Sequence, residues 1–150
     1  MKNPNKAPVG RIIDANINRA KEGLRVCEEV SRFILESRSL SAGFKEIRHN
    51  IDAAVKALTD RRELLAQRDS IKDVGLKIYL RKEFRRSSYQ DVFFANIQRV
   101  KESIRVLEEF SKLEYIKAAF AFKKIRYDVY EIEKKAAQRI SHFKRIVPDR

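Results

Sequence analysis

Residues 15–34 read ANINRAKEGLRVCEEVSRFI, and residues 95–114 read ANIQRVKESIRVLEEFSKLE. Eleven of the twenty aligned positions are identical, where composition alone gives roughly one or two. A second pair of blocks follows, FKEIRHNI at 44–51 and FKKIRYDV at 122–129, with four of eight positions identical. The offset is 80 residues in the first pair and 78 in the second. Solenoid repeats recur every ~20–50 residues. The longer offset predicts instead one αα-hairpin that was duplicated and packed on itself.

Working outward from these blocks, helical phasing puts Ile13, Ile17, Ala20, Leu24, Cys27, Val30 and Ile34 on one face, at about 100° per residue. Lys21, Arg25, Glu28 and Arg32 fall on the other. The spacing predicts helices over about 11–36, 41–58, 89–114 and 116–144, with a short helical piece at 61–67. SRSLSAG (37–43), with its serines and Gly43, reads as the first turn. Repeat 1 is thus about 11–58 and repeat 2 about 89–144. The connecting loop, about 67–88, is the one stretch without helical period, and loops of that length are usually functional or disordered. The expected fold is a single all-α domain over 1–150: a four-helix bundle of two duplicated hairpins with pseudo-two-fold symmetry.

Composition agrees. In 150 residues there are three prolines, Pro4, Pro8 and Pro148, and four glycines, which excludes a turn-rich β-sandwich. One cysteine, Cys27, excludes an intrachain disulfide framework or a multi-thiolate zinc site. MKNPNKAPVG contains no apolar signal region, and no run approaches ~18 apolar residues. A soluble cytoplasmic protein is expected. Lys and Arg number 34 against 21 Asp and Glu, a net charge of +13. Such a charge invites an anionic partner.

What both copies retain on the apolar arc is polar. Asn16 and Asn96 lie near its middle, Arg19 and Arg99 within it, and Glu22 and Glu102 at its edge. Gly23 and Ser103 are small, which admits another backbone or a ligand. Arg48 and Arg126 lie inward on the second helix of each hairpin, between Phe44 and Ile51 and between Phe122 and Val129. Four inward arginines against two carboxylates leave two positive charges over. One reading is a core network of Arg19–Glu22 and Arg99–Glu102 pairs, with the other arginines snorkelling out. The other is a cavity between the hairpins that holds a phosphate. An arginine fork donates two parallel hydrogen bonds to such a group, and asparagine suits a heterocycle edge.

The loop adds Arg68, Asp69, Asp73 and Gly75 in RDSIKDVG. Two aspartates four apart suit Mg²⁺ or the positioning of a hydroxyl. Equally, Asp-x-x-x-Asp in a polar loop suits a cap or a solvated pair. Gly75 permits positive φ or close approach to a phosphate. Cys27 aligns with Leu107 and reads as core; His49 aligns with Tyr127 and reads as surface, and His142 falls in the basic tail. Neither GxxxxGK[ST] nor GxGxxG occurs, so a phosphotransferase here does not use a P-loop.

RIIDANINRAKEGLRVCEEVSRF (11–33), QRDSIKDVG (67–75) and ANIQRVKESIRVLEEFSK (95–112) resemble the helical domain often fused to the N-terminus of thiamine-phosphate synthase. That domain has been proposed as an alternative hydroxymethylpyrimidine-phosphate kinase, and the resemblance covers about 11–130. It implies thiamine biosynthesis, with ATP and Mg²⁺ converting hydroxymethylpyrimidine phosphate to its diphosphate. On these residues the expected mechanism is a hairpin cavity that binds a phosphorylated pyrimidine, with Asn16 or Asn96 reading the ring edge. Arg19, Arg48, Arg99 and Arg126 hold phosphates and transferring charge, Arg19 and Arg99 as catalytic groups. Glu22 or Glu102 orients an arginine or the pyrimidine amine. Asp69 and Asp73 bind Mg²⁺ or act as base toward the hydroxymethyl group, and Arg68 and Gly75 face the nucleotide. The chain leaves no room for the synthase barrel, so the resemblance implies either a free-standing kinase or a subunit that meets thiamine-phosphate synthase. Two other classes stay open. One is a non-catalytic module that binds a phosphorylated metabolite or docks to the synthase. The less favoured one is a nucleic-acid binder, through loop 77–86 (+4) and the tail Lys134–Arg150 (+5); it lacks a helix-turn-helix or a stacking platform.

Overall fold

The computed structural model describes residues 5–146. Residues 147–150, with Arg150 of the basic tail, and the side chains of Lys144 and Arg145 lie outside that description. Among the described residues the regular elements are all helical, with no strand. The helices are α1 (Lys6–Glu29), α2 (Arg38–Lys56), α3 (Arg61–Gln67), α4 (Tyr89–Ser111) and α5 (Ile116–Ile146). A single 3₁₀ turn, Arg81–Phe84, interrupts the connecting segment.

Local chemistry sets the ends. Helix α1 starts at Lys6, earlier than the apolar period suggests; Pro8 falls in its first turn, where a missing N–H costs nothing. At the other end the last turn widens into a π-turn over Val30–Ile34, with Leu35 N–H donating to the Val30 carbonyl at 3.0 Å. Glu36 then takes φ 48°, a positive value rare for a side-chain-bearing residue. Ser37 caps α2 by accepting from Leu40 N–H at 3.3 Å. The expected turn at 37–43 is therefore shorter, and Gly43 lies inside α2. A side chain there would collide with Ile132 of α5, so Gly43 is a packing residue and not a turn residue. Ser88 caps α4 through Asp91 N–H, while the Asp91 carboxylate accepts from Ser87 N–H.

α1 packs most extensively on α4 and also on α2 and α3; α5 packs on α4 and α2. The four long helices thus close a ring, α1–α2–α5–α4. Leu24, Cys27, Phe44, Ile51, Phe93, Ile97, Val100, Ile104, Leu107, Phe122 and Val129 are fully buried at its centre. Burying each such aliphatic or aromatic side chain contributes about 1.5–3 kcal/mol. Ion pairs also cross between the helices: Lys21–Asp52 at 2.6 Å joins α1 to α2, and Lys101–Glu133 at 2.9 Å joins α4 to α5. The segment 70–88 packs differently, since every residue in it is exposed. Ile71, Val74, Leu76, Ile78, Tyr79, Leu80 and Phe84 all face solvent there. No helix among the described residues is long and apolar enough to cross a membrane.

Candidate functional site

α1 and α4 cross closely because Gly23 carries no side chain. A Cβ there would lie 2.7 Å from the Val100 side chain and 3.0 Å from the Asn96 carbonyl oxygen. This is the close backbone approach expected of that glycine. Beside the crossing opens a groove of about 390 Å³ lined by Asn16, Arg19, Glu22, Gly23, Asn96, Arg99, Glu102, Ser103 and Val106. Eight of the nine are four pairs at the 80-residue offset. Spacings of three and four residues put them on one flank of each helix.

Both asparagines are anchored alike. Asn16 Nδ2 donates to the Ile12 carbonyl and Asn96 Nδ2 to the Val92 carbonyl, each at 2.8 Å. That fixes the amide plane and leaves Oδ1 as an acceptor. Arg19 and Arg99 are exposed and make no ion pair among the described residues. The Arg19–Glu22 and Arg99–Glu102 pairs of the core-network reading do not form; Glu102 accepts instead from Gln98 Nε2 at 3.1 Å.

Arg48 and Arg126 lie elsewhere. Arg48 donates to Glu28 through Nε at 2.9 Å and Nη2 at 2.7 Å. Arg126 Nε donates to Glu108 at 2.7 Å, and its Nη1 to the Tyr130 hydroxyl at 2.9 Å. Neither reaches the groove that holds Arg19 and Arg99. Glu28, expected on the outer face, is buried because α2 covers that flank of α1 while α4 covers the other. Glu108 is buried likewise. Burial opposes its charge, but hydrogen bonds from Arg126 and Arg105 and their charges hold its carboxyl below the ordinary value. With Glu28 and Glu108 counted, the two surplus positive charges disappear.

The connecting segment is latched to α1. Arg68 meets Asp14 with two parallel hydrogen bonds of 2.7 and 2.8 Å, and Arg11 donates to the Asp69 carbonyl at 3.3 Å. The Asp14 hydrogen bond and charge, with some help from Glu22, raise the Arg68 pKa further. Gly10 lies under the Gln67 side chain at the end of α3, whose amide a Cβ there would push aside. Asp69 Oδ1 accepts from Lys72 N–H at 3.1 Å and Asp73 Oδ1 from Gly75 N–H at 2.8 Å. The aspartates therefore do cap local turns, with the second oxygen of each left over. Gly75 has no positive φ and does not line the adjoining cavity. That cavity, about 560 Å³, includes Arg11, Asp14, Asn16, Arg19, Arg68, Asp69, Lys72 and Asp73. It shares Asn16 and Arg19 with the groove.

Sequence reasoning missed Asp14, Arg11, Lys72, Glu28 and Glu108. The glutamates carried a signal, since both belong to the identical EE of the repeat. Asp14 carried none there, because its counterpart is Phe94. Among the described residues no group of three His, Cys, Asp or Glu could hold a metal. Asp69 and Asp73 match Mg²⁺ only in the way a nucleotide site does, with one or two carboxylates and the remaining positions filled by phosphate and water. Cys27 is buried and its thiol is pushed up to about 12 by that burial; it is a core residue, and His49 is a surface one.

These features define an all-helical protein with an arginine- and carboxylate-lined groove where its two repeat-bearing helices cross. The chain belongs to the ThiD2 family, which matches residues 11–135. It is 42% identical over 125 residues to a thiamine-phosphate synthase of Nostoc sp., covering 83% of this chain and 34% of that protein. It is 38% identical over 133 residues to the Synechocystis protein of the same name, covering 89% and 37%. A Rhodopirellula baltica thiamine-phosphate synthase is 38% identical over 141 residues, covering 91% and 37%. The chain thus spans about a third of the length of these relatives. No solved structure matches it.

Proposed function

We propose that this protein acts in thiamine biosynthesis, converting hydroxymethylpyrimidine phosphate to its diphosphate with ATP and Mg²⁺. The observation that carries this reading is the groove at the α1–α4 crossing, where Arg19 and Arg99 stand without ion pairs beside two fixed amide oxygens. Two arginines and two glutamates make it a balanced site. That suits an aminopyrimidine monophosphate, which offers an anionic end to arginine and an amine to glutamate. Asn16 or Asn96 then reads the ring, Arg19 and Arg99 the phosphate, and Glu22 or Glu102 the amine. Arg48 and Arg126 are left out of the site. We also read the two hairpins as copies of one ancestor, packed as a bundle about a pseudo-two-fold axis through the crossing. The Arg48–Glu28 and Arg126–Glu108 pairs, which recur at the offsets of 80 and 78, support this.

The chemistry corrects one expected role. A diphosphate forms when an oxygen of the existing phosphate attacks, not the hydroxymethyl oxygen. With a second phosphate pKa of about 6 that oxygen is already ionised at neutral pH, so neither aspartate need act as a base. Asp69 and Asp73 keep the Mg²⁺ role. Phosphoryl transfer asks chiefly for positioning and charge neutralisation, which an arginine-rich helical site can supply. The relatives' name supports a thiamine-phosphate synthase as the consumer of the product and as a docking partner.

The test is incubation with hydroxymethylpyrimidine phosphate, ATP and Mg²⁺. ADP and the pyrimidine diphosphate should appear in equal amounts. Binding without ADP release would make the protein a non-catalytic module; neither binding nor turnover would overturn the reading.

A further inference from the structure

We propose that the cavity at the base of the 68–88 segment is a polyphosphate subsite, distinct from the α1–α4 groove, in which Arg11 and Lys72 hold the triphosphate of the donor nucleotide. This rests on the kinase reading and adds to it where the second substrate sits.

Charge separates the two cavities. The groove has as many arginines as glutamates. In the segment-base cavity, Arg68 and Asp14 neutralise each other through their double hydrogen bond. What remains is Arg11, Lys72 and the Arg19 it shares with the groove against Asp69 and Asp73, a surplus of one positive charge while Arg19 faces this cavity. Asp69 and Asp73 each give one oxygen to a backbone N–H and keep the other. A Mg²⁺ on those free oxygens would bring the wall to three positive charges, against about four negative on a nucleoside triphosphate at neutral pH. The cavity, about 560 Å³, lies within the ~300–1,000 Å³ range of ligand sites.

Position completes the case. Arg19 and Asn16 line both cavities, so a phosphate in the groove and the terminal phosphate of a nucleotide would meet at Arg19. There an oxygen of the acceptor phosphate forms the new bond to the terminal phosphorus. The bond from that phosphorus to the β-phosphate oxygen breaks, and its electron pair leaves with the nucleoside diphosphate. Both substrates are bound at once, and no enzyme-bound phosphate intervenes.

The experiment is equilibrium calorimetry on the full chain with three separate ligands: Mg²⁺–tripolyphosphate, Mg²⁺ with a β,γ-imido ATP analogue, and hydroxymethylpyrimidine phosphate. Lys72→Ala is expected to weaken the first two about ten-fold or more, the loss of one charge-assisted contact. It should leave the third within about two-fold. Lys72→Arg should restore the first two, and Arg11→Ala should repeat the Lys72→Ala pattern. Unchanged polyphosphate binding in Lys72→Ala would overturn the subsite. So would displacement of the pyrimidine phosphate by tripolyphosphate, since one cavity would then serve both. Failure of the wild type to bind the pyrimidine phosphate would overturn the proposed function instead, while the tripolyphosphate series still decides the subsite.

Discussion

Arg48 and Arg126 can be set against Arg19 and Arg99. All four are arginines that both halves of the chain retain, and all four phase toward the apolar arcs. Arg48 and Arg126 are mostly buried, with side-chain exposures of 19% and 14%, and each is tied to a buried glutamate. Arg19 and Arg99 are exposed at a groove and tied to no carboxylate. The recurrence of an arginine in both sequence blocks therefore has two physical origins here. In one, removing the charge strands a partner in the core. In the other, the charge faces a space large enough for a ligand.

The largest expected effect breaks the first pair. Arg126→Ala leaves Glu108 buried beside only Arg105, 3.1 Å away. Breaking a buried pair this way costs about 3–5 kcal/mol, and Arg105 places the cost toward the lower end. Urea denaturation measures it; a loss no greater than that of Arg19→Ala would erase the distinction. Arg19→Ala should instead hold stability within about 0.5 kcal/mol. It should lower turnover by about 10²–10³, typical for one transition-state contact. Full turnover in that variant would remove Arg19 from the site.

Gly23→Ala tests the crossing on which the groove depends. Overpacking against Val100 and the Asn96 carbonyl costs about 1–3 kcal/mol. The gain in helix propensity, about 1 kcal/mol, offsets part of it. A net loss near 1 kcal/mol with weaker pyrimidine-phosphate binding is expected; a stabilised variant would show that α1 and α4 can separate freely. The smallest effect is on the acid limb of stability. The Glu108 carboxyl titrates below its ordinary 4.5 in the folded protein. Its contribution is full above that value and is lost as pH falls through the lower folded one. Glu108→Gln should flatten that limb, read as the change in urea midpoint between pH 6 and pH 3; an unchanged slope would mean the carboxylate gains nothing from its arginines.

The helical class and the inward residues were legible because the repeat reports them twice. Asn16, Arg19, Glu22 and their counterparts sit at spacings of three, which any α-helix converts into one flank, and the structure brings all six to one groove. Glu28 was misread because phasing a single helix assumes one buried face. α1 touches α2 and α4, so a wider arc is covered. The role of Asp14 was hidden for a different reason: its partner Arg68 lies 54 residues away in a segment without period. Self-comparison discarded it because the second copy carries Phe94. The turn before α2 was misplaced because glycine signals both turns and close packing, and Gly43 serves the second.

That same Asp14–Phe94 difference has a consequence for how a ligand chooses its direction. If the proposed two-fold relation holds, a groove lined by matched pairs offers a small molecule two opposed poses of nearly equal energy. Half the bound population would point its phosphate the wrong way. Arg68 latches onto Asp14, whereas the residue 80 positions on, Phe94, carries no charge and is 40% exposed. On the proposed reading, the latch, itself neutral, holds the segment that carries Lys72 beside Arg11 at one mouth of the groove, and the two poses no longer match in energy. A single divergent position converts a two-way slot into a one-way one.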